Sequence, residues 1–167
     1  MRGSGQLCQE VMYNIFMEKG DFEIIVRGLI LSRGRILVCQ TYGKDYFFLP
    51  GGHVEFGENM RKALVRELDE ELGIKPVSTK FIGSVENIFY QEEKLNHELN
   101  FVFLVEIDVD EDDIESNEDH ISFKWFLPHD LVEEKFVPPA LRDAVLKYLS
   151  DKKPFLILTE EEDSLEF

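Results

Sequence analysis

The sequence predicts an α/β layered sandwich of strands with two helices. Three observations carry that reading: runs of β-branched and aromatic residues between turn residues, two stretches with apolar side chains at helical spacing, and enough apolar material for one core. The 167 residues are 44% hydrophobic and 12% aromatic, with 14 Phe. A chain of this size and composition builds one domain without disulfide or metal staples.

Residues 22–42 hold two β-rich runs broken at Ser32-Arg33-Gly34-Arg35, which predicts a hairpin or a closely connected strand pair. The apolar run Tyr46-Phe47-Phe48-Leu49 then meets Pro50-Gly51-Gly52, where proline and paired glycines stop regular pairing and a specialised loop begins. From Asn59 to Leu72, Met60, Ala63, Leu64, Leu68 and Leu72 recur at the helical period, and Gly73 supplies a C-terminal stop. Lys80 to Tyr90 and Glu98 to Val109 read as two more strands, antiparallel neighbours joined by a polar turn from Gln91 to His97. Asp108 to His120 is dense in acids without Lys or Arg, a solvated loop before the strand Phe123 to Phe126. Pro138-Pro139 opens a second helix, with Leu141, Ala144, Val145, Tyr148 and Leu149 on its apolar side. The expected organisation is an N-terminal extension over 1–20, a single domain over 21–152 and a mobile acidic C-terminal tail over 153–167.

Charge and cysteine content narrow the function. Lys+Arg 18 against Asp+Glu 34 leaves a net charge of −16, which argues against an extended nucleic-acid groove or an anionic membrane surface as the main partner. A phosphate substrate would need a cationic bridge. Cys8 and Cys39 make no disulfide framework and no Cys/His cluster suggests zinc, so a reducing, cytoplasmic setting is expected. The longest apolar stretches are strand-length, far short of the ~20 residues that span a bilayer. Met1 to Gly5 lacks the apolar core of a signal segment.

The chemistry gathers on the first helix. Glu67, Glu70 and Glu71 are spaced at three and four, so their carboxylates project from one side. Such like charges repel, and the cluster becomes favourable around a divalent cation. Oxygen-only ligands point to Mg2+ or Mn2+ rather than zinc. Arg66 stands at i,i+4 from Glu70, placed to hold a carboxylate in its ligand orientation, and Glu58 lies near the helix start. Leu68 and Leu72 would anchor the opposite face. Taken alone, Glu-rich spacing more often marks a solvated helix face.

The glutamates do not stand alone. The segment Gly52 to Ile74 resembles the Nudix box, G-x5-E-x7-R-E-U-x-E-E-x-G-U with U apolar, and Gly52, Glu58, Arg66, Glu67, Leu68, Glu70, Glu71, Gly73 and Ile74 match every fixed position. Leu49-Pro50-Gly51-Gly52 before the box and Trp125-Phe126 after the acidic loop extend the resemblance to about residues 22–150. It implies a Nudix-type α/β/α sandwich with a loop-helix-loop catalytic element and a mixed central sheet. The implied activity is metal-dependent hydrolysis of a pyrophosphate bond in a nucleoside diphosphate linked to another moiety: a nucleoside triphosphate, ADP-ribose or a nucleotide-sugar. By position, Glu67, Glu70 and Glu71 would be metal ligands, the Gly52 carbonyl a further one, and Glu58 and Arg66 supporting members.

Glu70 is the first choice of general base, because it can approach an activated water, while Glu118, Asp119 and Glu98 are the alternatives. Substrate contacts are expected from Arg27, Tyr42, Tyr46, Phe47, His53 and Asn100, and also from Tyr90 and His97, since aromatic faces stack on bases and arginine grips phosphate. The stretch Val85-Glu86-Asn87-Ile88-Phe89 followed by His97-Glu98 looks like bacterial MutT-like Nudix proteins described as ADP-ribose pyrophosphatases or nucleotide pyrophosphohydrolases. The expected partner is a small nucleotide-type molecule, and exposed strand edges permit a homodimer. The competing reading is a Nudix-fold module that senses a nucleotide without cleaving it. The acidic loop and tail would at most add an interaction surface.

Overall fold

Arg33 and Gly34 both adopt positive φ, 48° and 77°, the geometry that turns a two-residue hairpin with the natural strand twist. They join β1 (Asp21–Ser32) to β2 (Arg35–Thr41) in antiparallel register, Leu31 opposite Ile36. The computed structural model describes residues 21–91 and 94–159. The expected extension over 1–20 and the acidic run Glu160 to Asp163 lie outside the described residues.

Four further strands complete a mixed six-stranded sheet: β3 (Ser78–Gln91), β4 (Lys94–Glu106), β5 (Ile121–Phe126) and β6 (Phe155–Ile157). Their spatial order is β5-β2-β1-β4-β3-β6. β4 runs parallel to β1 and antiparallel to β3, β5 antiparallel to β2, and β6 parallel to β3.

Three expectations need correction. The polar stretch from Gln91 to His97 is not a turn: β4 begins at Lys94, which pairs with Gln91, and His97 pairs with Ile88 inside the ladder. Polarity misled because these strands extend beyond the helices that bury their middles. The strand also stops at Glu106 rather than reaching Val109. Likewise, the segment read as the start of a mobile tail supplies β6, where Phe155 packs edge-on against Tyr148 at 6.5 Å between ring centroids.

Strand side chains alternate between two cores. On one face Val26, Ile30, Leu37, Phe103 and Val105 meet Ala63, Leu64, Leu68 and Leu72 of α1 (Met60–Leu72). On the other face Leu29, Ile36, Val38, Val85 and Val102 meet Leu141, Ala144, Val145 and Tyr148 of α3 (Pro139–Asp151), with the short α2 (Asp130–Glu133) contributing Leu131. This is the expected sandwich.

Helix α1 is defined at both ends. The Asn59 side chain caps it by accepting from the Lys62 N–H at 3.1 Å. Gly73, at φ 66°, ends it by donating to Asp69 O at 2.9 Å. Leu64 is fully buried in this core whereas its neighbour Val65 is 37% exposed. Leu64→Ala is therefore expected to cost about 3 kcal/mol in urea unfolding, and Val65→Ala less than about 0.5 kcal/mol.

Candidate active site

Arg66 organises the carboxylates of α1. Its Nε and Nη2 donate to the two oxygens of Glu58 at 3.2 and 3.0 Å, while Nη1 donates to Glu67 at 2.7 Å and Glu70 at 3.1 Å. Nη2 also reaches the His53 carbonyl at 3.0 Å, tying the helix to the preceding loop. Charge-assisted bonds of this kind fix orientation as well as contribute energy. Bonded to Glu58 first and foremost, the guanidinium has its pKa raised, and the Arg66 donors hold the Glu58 carboxyl below its ordinary value.

The loop before the helix explains its glycines. Gly51 sits at φ 121°, and a Cβ there would collide with the Val26 carbonyl oxygen. Its N–H donates to Glu71 Oε2 at 3.0 Å and its carbonyl accepts from Arg27 Nη1 at 2.8 Å. Gly52 passes so close to Glu67 that an added Cβ would lie 2.5 Å from the carboxyl carbon. The Gly52 carbonyl already accepts from Val26 N at 2.9 Å, and a carbonyl oxygen has a second lone pair to offer.

Glu71 differs from the other two glutamates. It is only 5% exposed, whereas the Glu70 side chain is 55% exposed. Burial pushes the Glu71 carboxyl up to about 7, and the Gly51 N–H and Arg27 only partly offset this. Glu67 and Glu118 add to the rise. Glu118 comes near because Asn117 docks its loop on the helix end, its N–H bonding Glu71 O at 2.8 Å and its amide Asp69 O at 3.3 Å. Asp119 is exposed.

Among the described residues, no three carboxylate, imidazole or thiol groups converge into a closed cation site as the side chains stand. Three carboxylates gather on the single guanidinium of Arg66 and a fourth, Glu71, is buried beside them. The donor set is all oxygen and its negative charge exceeds the cation present. That chemistry fits a hard divalent ion.

On the far side of Gly51 lies a cavity of about 550 Å³, at the end of the sheet face that α3 leaves uncovered past Pro139. Arg27, Tyr46 and Glu98 line it, as does Tyr90. Asn100 stands just behind, fully buried, its amide oxygen accepting from Arg27 Nε at 3.4 Å. Desolvation lowers the Arg27 pKa, against the pull of Glu98, Glu71 and Glu67 among others.

Four expected contacts fall elsewhere. Phe47 is a core residue, 4% exposed and packed edge-on against Phe126, because its apolar run alternates across the loop and buries every second ring. Tyr42 is 65% exposed at the end of β2, its backbone bonded to His120 O. His53 points its ring at Glu23, 3.2 Å away, and serves the site through its carbonyl. His97 bonds Glu86 at 2.8 Å on the sheet face opposite the cavity.

The sequence reading missed Lys44, Phe48, Phe89 and Lys135, all lining the cavity, and gave Asn87 no site role. The Lys135–Asp45 ion pair at 3.1 Å joins loops far apart in sequence, so no local spacing could signal it. Asn87 did carry a signal, two residues beyond buried Val85 on the same strand face.

Residues 23–148 match the NUDIX domain family model. The chain belongs to the Nudix family. An uncharacterised Nudix hydrolase of Nostoc sp. is 35% identical over 121 residues, 68% of each chain. The 8-oxo-dGTP diphosphatase of Buchnera aphidicola is 35% identical over 75 residues, covering 42% of this chain and 57% of the relative. The ADP-ribose pyrophosphatase of Methanocaldococcus jannaschii is 30% identical over 87 residues, half of each. The chain thus spans about half the length of these two curated relatives. Among solved structures, a MutT protein from Bacillus halodurans superimposes with a TM-score of 0.64 at 16% identity, covering 87% of this chain and 95% of that one. A MutT Nudix hydrolase from Burkholderia pseudomallei gives a TM-score of 0.56 at 25% identity, covering 65% and 85%. These likenesses agree with the observed Nudix fold, and family members generally use divalent metal ions.

Glu71 sets a pH signature for the metal-free protein. With the folded carboxyl at about 7 and an ordinary value of 4.5, the folded chain keeps a proton that the unfolded chain releases. That stabilisation is complete below pH 4.5 and lost as pH rises through 7. In chelator, urea unfolding of wild type is expected to lose on the order of 3 kcal/mol across that window relative to Glu71→Gln. Parallel curves for the two proteins would show that Glu71 ionises normally in the fold.

Proposed function

We propose that this chain is a Nudix pyrophosphohydrolase. It hydrolyses a pyrophosphate bond in a nucleoside triphosphate, ADP-ribose or nucleotide-sugar type of substrate and releases a nucleoside monophosphate. The observation that carries this reading is the Gly51–Gly52 loop, held between the carboxylate cluster of α1 on one side and the Arg27 floor of the cavity on the other. Such an arrangement gives a phosphate chain one place to meet carboxylates while the rest of the molecule occupies a concave, partly aromatic site.

Mg2+, with Mn2+ as substitute, would be held by Glu67, Glu70 and Glu71 with the Gly52 carbonyl. When bound, such an ion offsets phosphate charge and lowers the pKa of an attacking water. The chain's own groups do the rest. Arg66 holds Glu58 and Glu67 in fixed orientation. Glu70 bonds Arg66 through Oε2 alone, which leaves Oε1 to take a proton from the water as general base. Arg27 and Lys44 bring positive charge to the cavity side, where a strongly negative protein must receive an anion. Of the alternative bases, Glu118 lies beside Glu71, whereas Glu98 belongs to the cavity wall. No described helix is long and apolar enough to cross a membrane, and the reading places the enzyme in the cytoplasm.

Purified protein with Mg2+, offered nucleoside triphosphates, ADP-ribose, nucleotide-sugars and dinucleoside polyphosphates, is expected to release a nucleoside monophosphate from one class. Chelator should abolish turnover, and Glu70→Gln or Glu71→Gln should lower it by about 100-fold or more with the circular dichroism spectrum unchanged. Full activity in both variants overturns the site assignment. Nucleotide binding without turnover across the panel overturns the enzyme reading in favour of a sensor.

A further inference from the structure

The cavity beside Gly51 carries a hydrogen-bonding pattern that pyrophosphate chemistry does not require. Arg27 on β1, Asn100 and Glu98 on β4 and Asn87 on β3 form one hydrogen-bonded row on a shared face of three neighbouring strands: Asn87 stands opposite Glu98, and Arg27, opposite Val102, reaches Asn100 diagonally. Within it, Glu98 Oε2 accepts from the Asn87 amide at 3.3 Å and the Asn100 amide at 3.2 Å. Asn100 Oδ1 accepts from Arg27 Nε, and Arg27 Nη1 donates to the Leu49 and Gly51 carbonyls at 3.1 and 2.8 Å.

Three atoms of this row have no hydrogen-bond partner among the described residues: Arg27 Nη2, Glu98 Oε1 and Asn87 Oδ1. All three residues line the cavity. In row order they present a donor, an acceptor and a second acceptor. The pattern is locked: an arginine only donates, the bonds to Oε2 orient the Glu98 carboxylate, and fully buried Asn100 fixes the row from behind. Around it stand the rings of Tyr46, Phe48 and Phe89, flat apolar faces suited to a planar heterocycle.

We infer, building on the hydrolase reading, that this cavity selects a guanine base and that Glu98 is its specificity-determining residue. The guanine edge runs acceptor, donor, donor: the O6 oxygen, the N1–H and the 2-amino group. It meets Arg27, Glu98 and Asn87 in that order. Adenine would set its 6-amino group against the Arg27 donor and its N1 lone pair against the Glu98 carboxylate. A site whose buried polar groups are left unpaired rejects such an analogue strongly. A ribose diol can donate to the two acceptors and accept from Arg27, but it offers no flat π-face to the aromatic rings.

The test is calorimetric binding of GMP, IMP and AMP to the full chain, since monophosphates hold no pyrophosphate bond and report the base independently of turnover. GMP is expected to bind about tenfold or more tightly than IMP, which lacks the 2-amino group, and IMP more tightly than AMP. In Glu98→Gln, the two amides still demand an acceptor at Oε2, which turns the new amide nitrogen toward the cavity as a donor, and GMP falls to the affinity of AMP. Equal binding, or no binding, of the three monophosphates to wild type overturns the inference, and this readout does not depend on the variant folding. A Glu98→Gln protein that loses turnover of GTP and ATP by the same factor while keeping the GMP preference also overturns it, showing Glu98 to be a base. The guanine ranking without any pyrophosphate hydrolysis supports the inference while refuting the hydrolase reading.

Discussion

Both backbone groups of Gly51 are gripped, and the site depends on that constraint. Its N–H is taken by Glu71 from the helix and its carbonyl by Arg27 from the sheet. Neither bond could form around a side chain, because the Cβ would collide with the strand carbonyl of Val26. One residue without a side chain thus joins the carboxylate cluster to the cavity and sets the distance between them. The glycine next to it repeats the principle, since Gly52 yields its Cβ space to the Glu67 carboxyl.

Charge is distributed with the same economy. A molecule of net charge −16 gathers Glu58, Glu67 and Glu70 on one guanidinium and buries Glu71 next to them. The cost is concentrated where it is useful. Burial leaves Glu71 poised near neutrality, so the region is under tension that a divalent cation would relieve. Basic side chains are scarce overall, yet Arg27, Lys44 and Lys135 all border the cavity. On the proposed function, the contrast between an anionic helix and a cationic pocket floor would give a phosphate ester its orientation.

The two faces of the sheet divide the labour. Helix α1 covers one face and carries the carboxylates; α3 covers the other but stops at Pro139, and the uncovered strand ends form the cavity. The polar residues of β4 make sense only in this light. Glu98 and Asn100 continue the face of Val102 beyond the reach of α3. Read along the chain, the polar residues just before them, Gln91 to His97, resemble a turn.

The sequence by itself determined the helix that carries the carboxylates, its start at Asn59 and its stop at Gly73, and the membership of Glu58, Arg66, Glu67, Glu70 and Glu71 in one cluster. These features are local: helical periodicity and fixed spacing put their residues together whatever the rest of the chain does. Tertiary structure alone decided that Glu71 is buried while Glu70 is exposed, that Phe47 belongs to the core while Phe48 lines the cavity, and that β6 joins the sheet. It also decided which residues face the pocket, because Arg27, Asn87, Glu98 and Lys135 meet only when four distant segments pack. A side chain's burial and partners follow from what folds over it, and spacing along one segment holds no record of that.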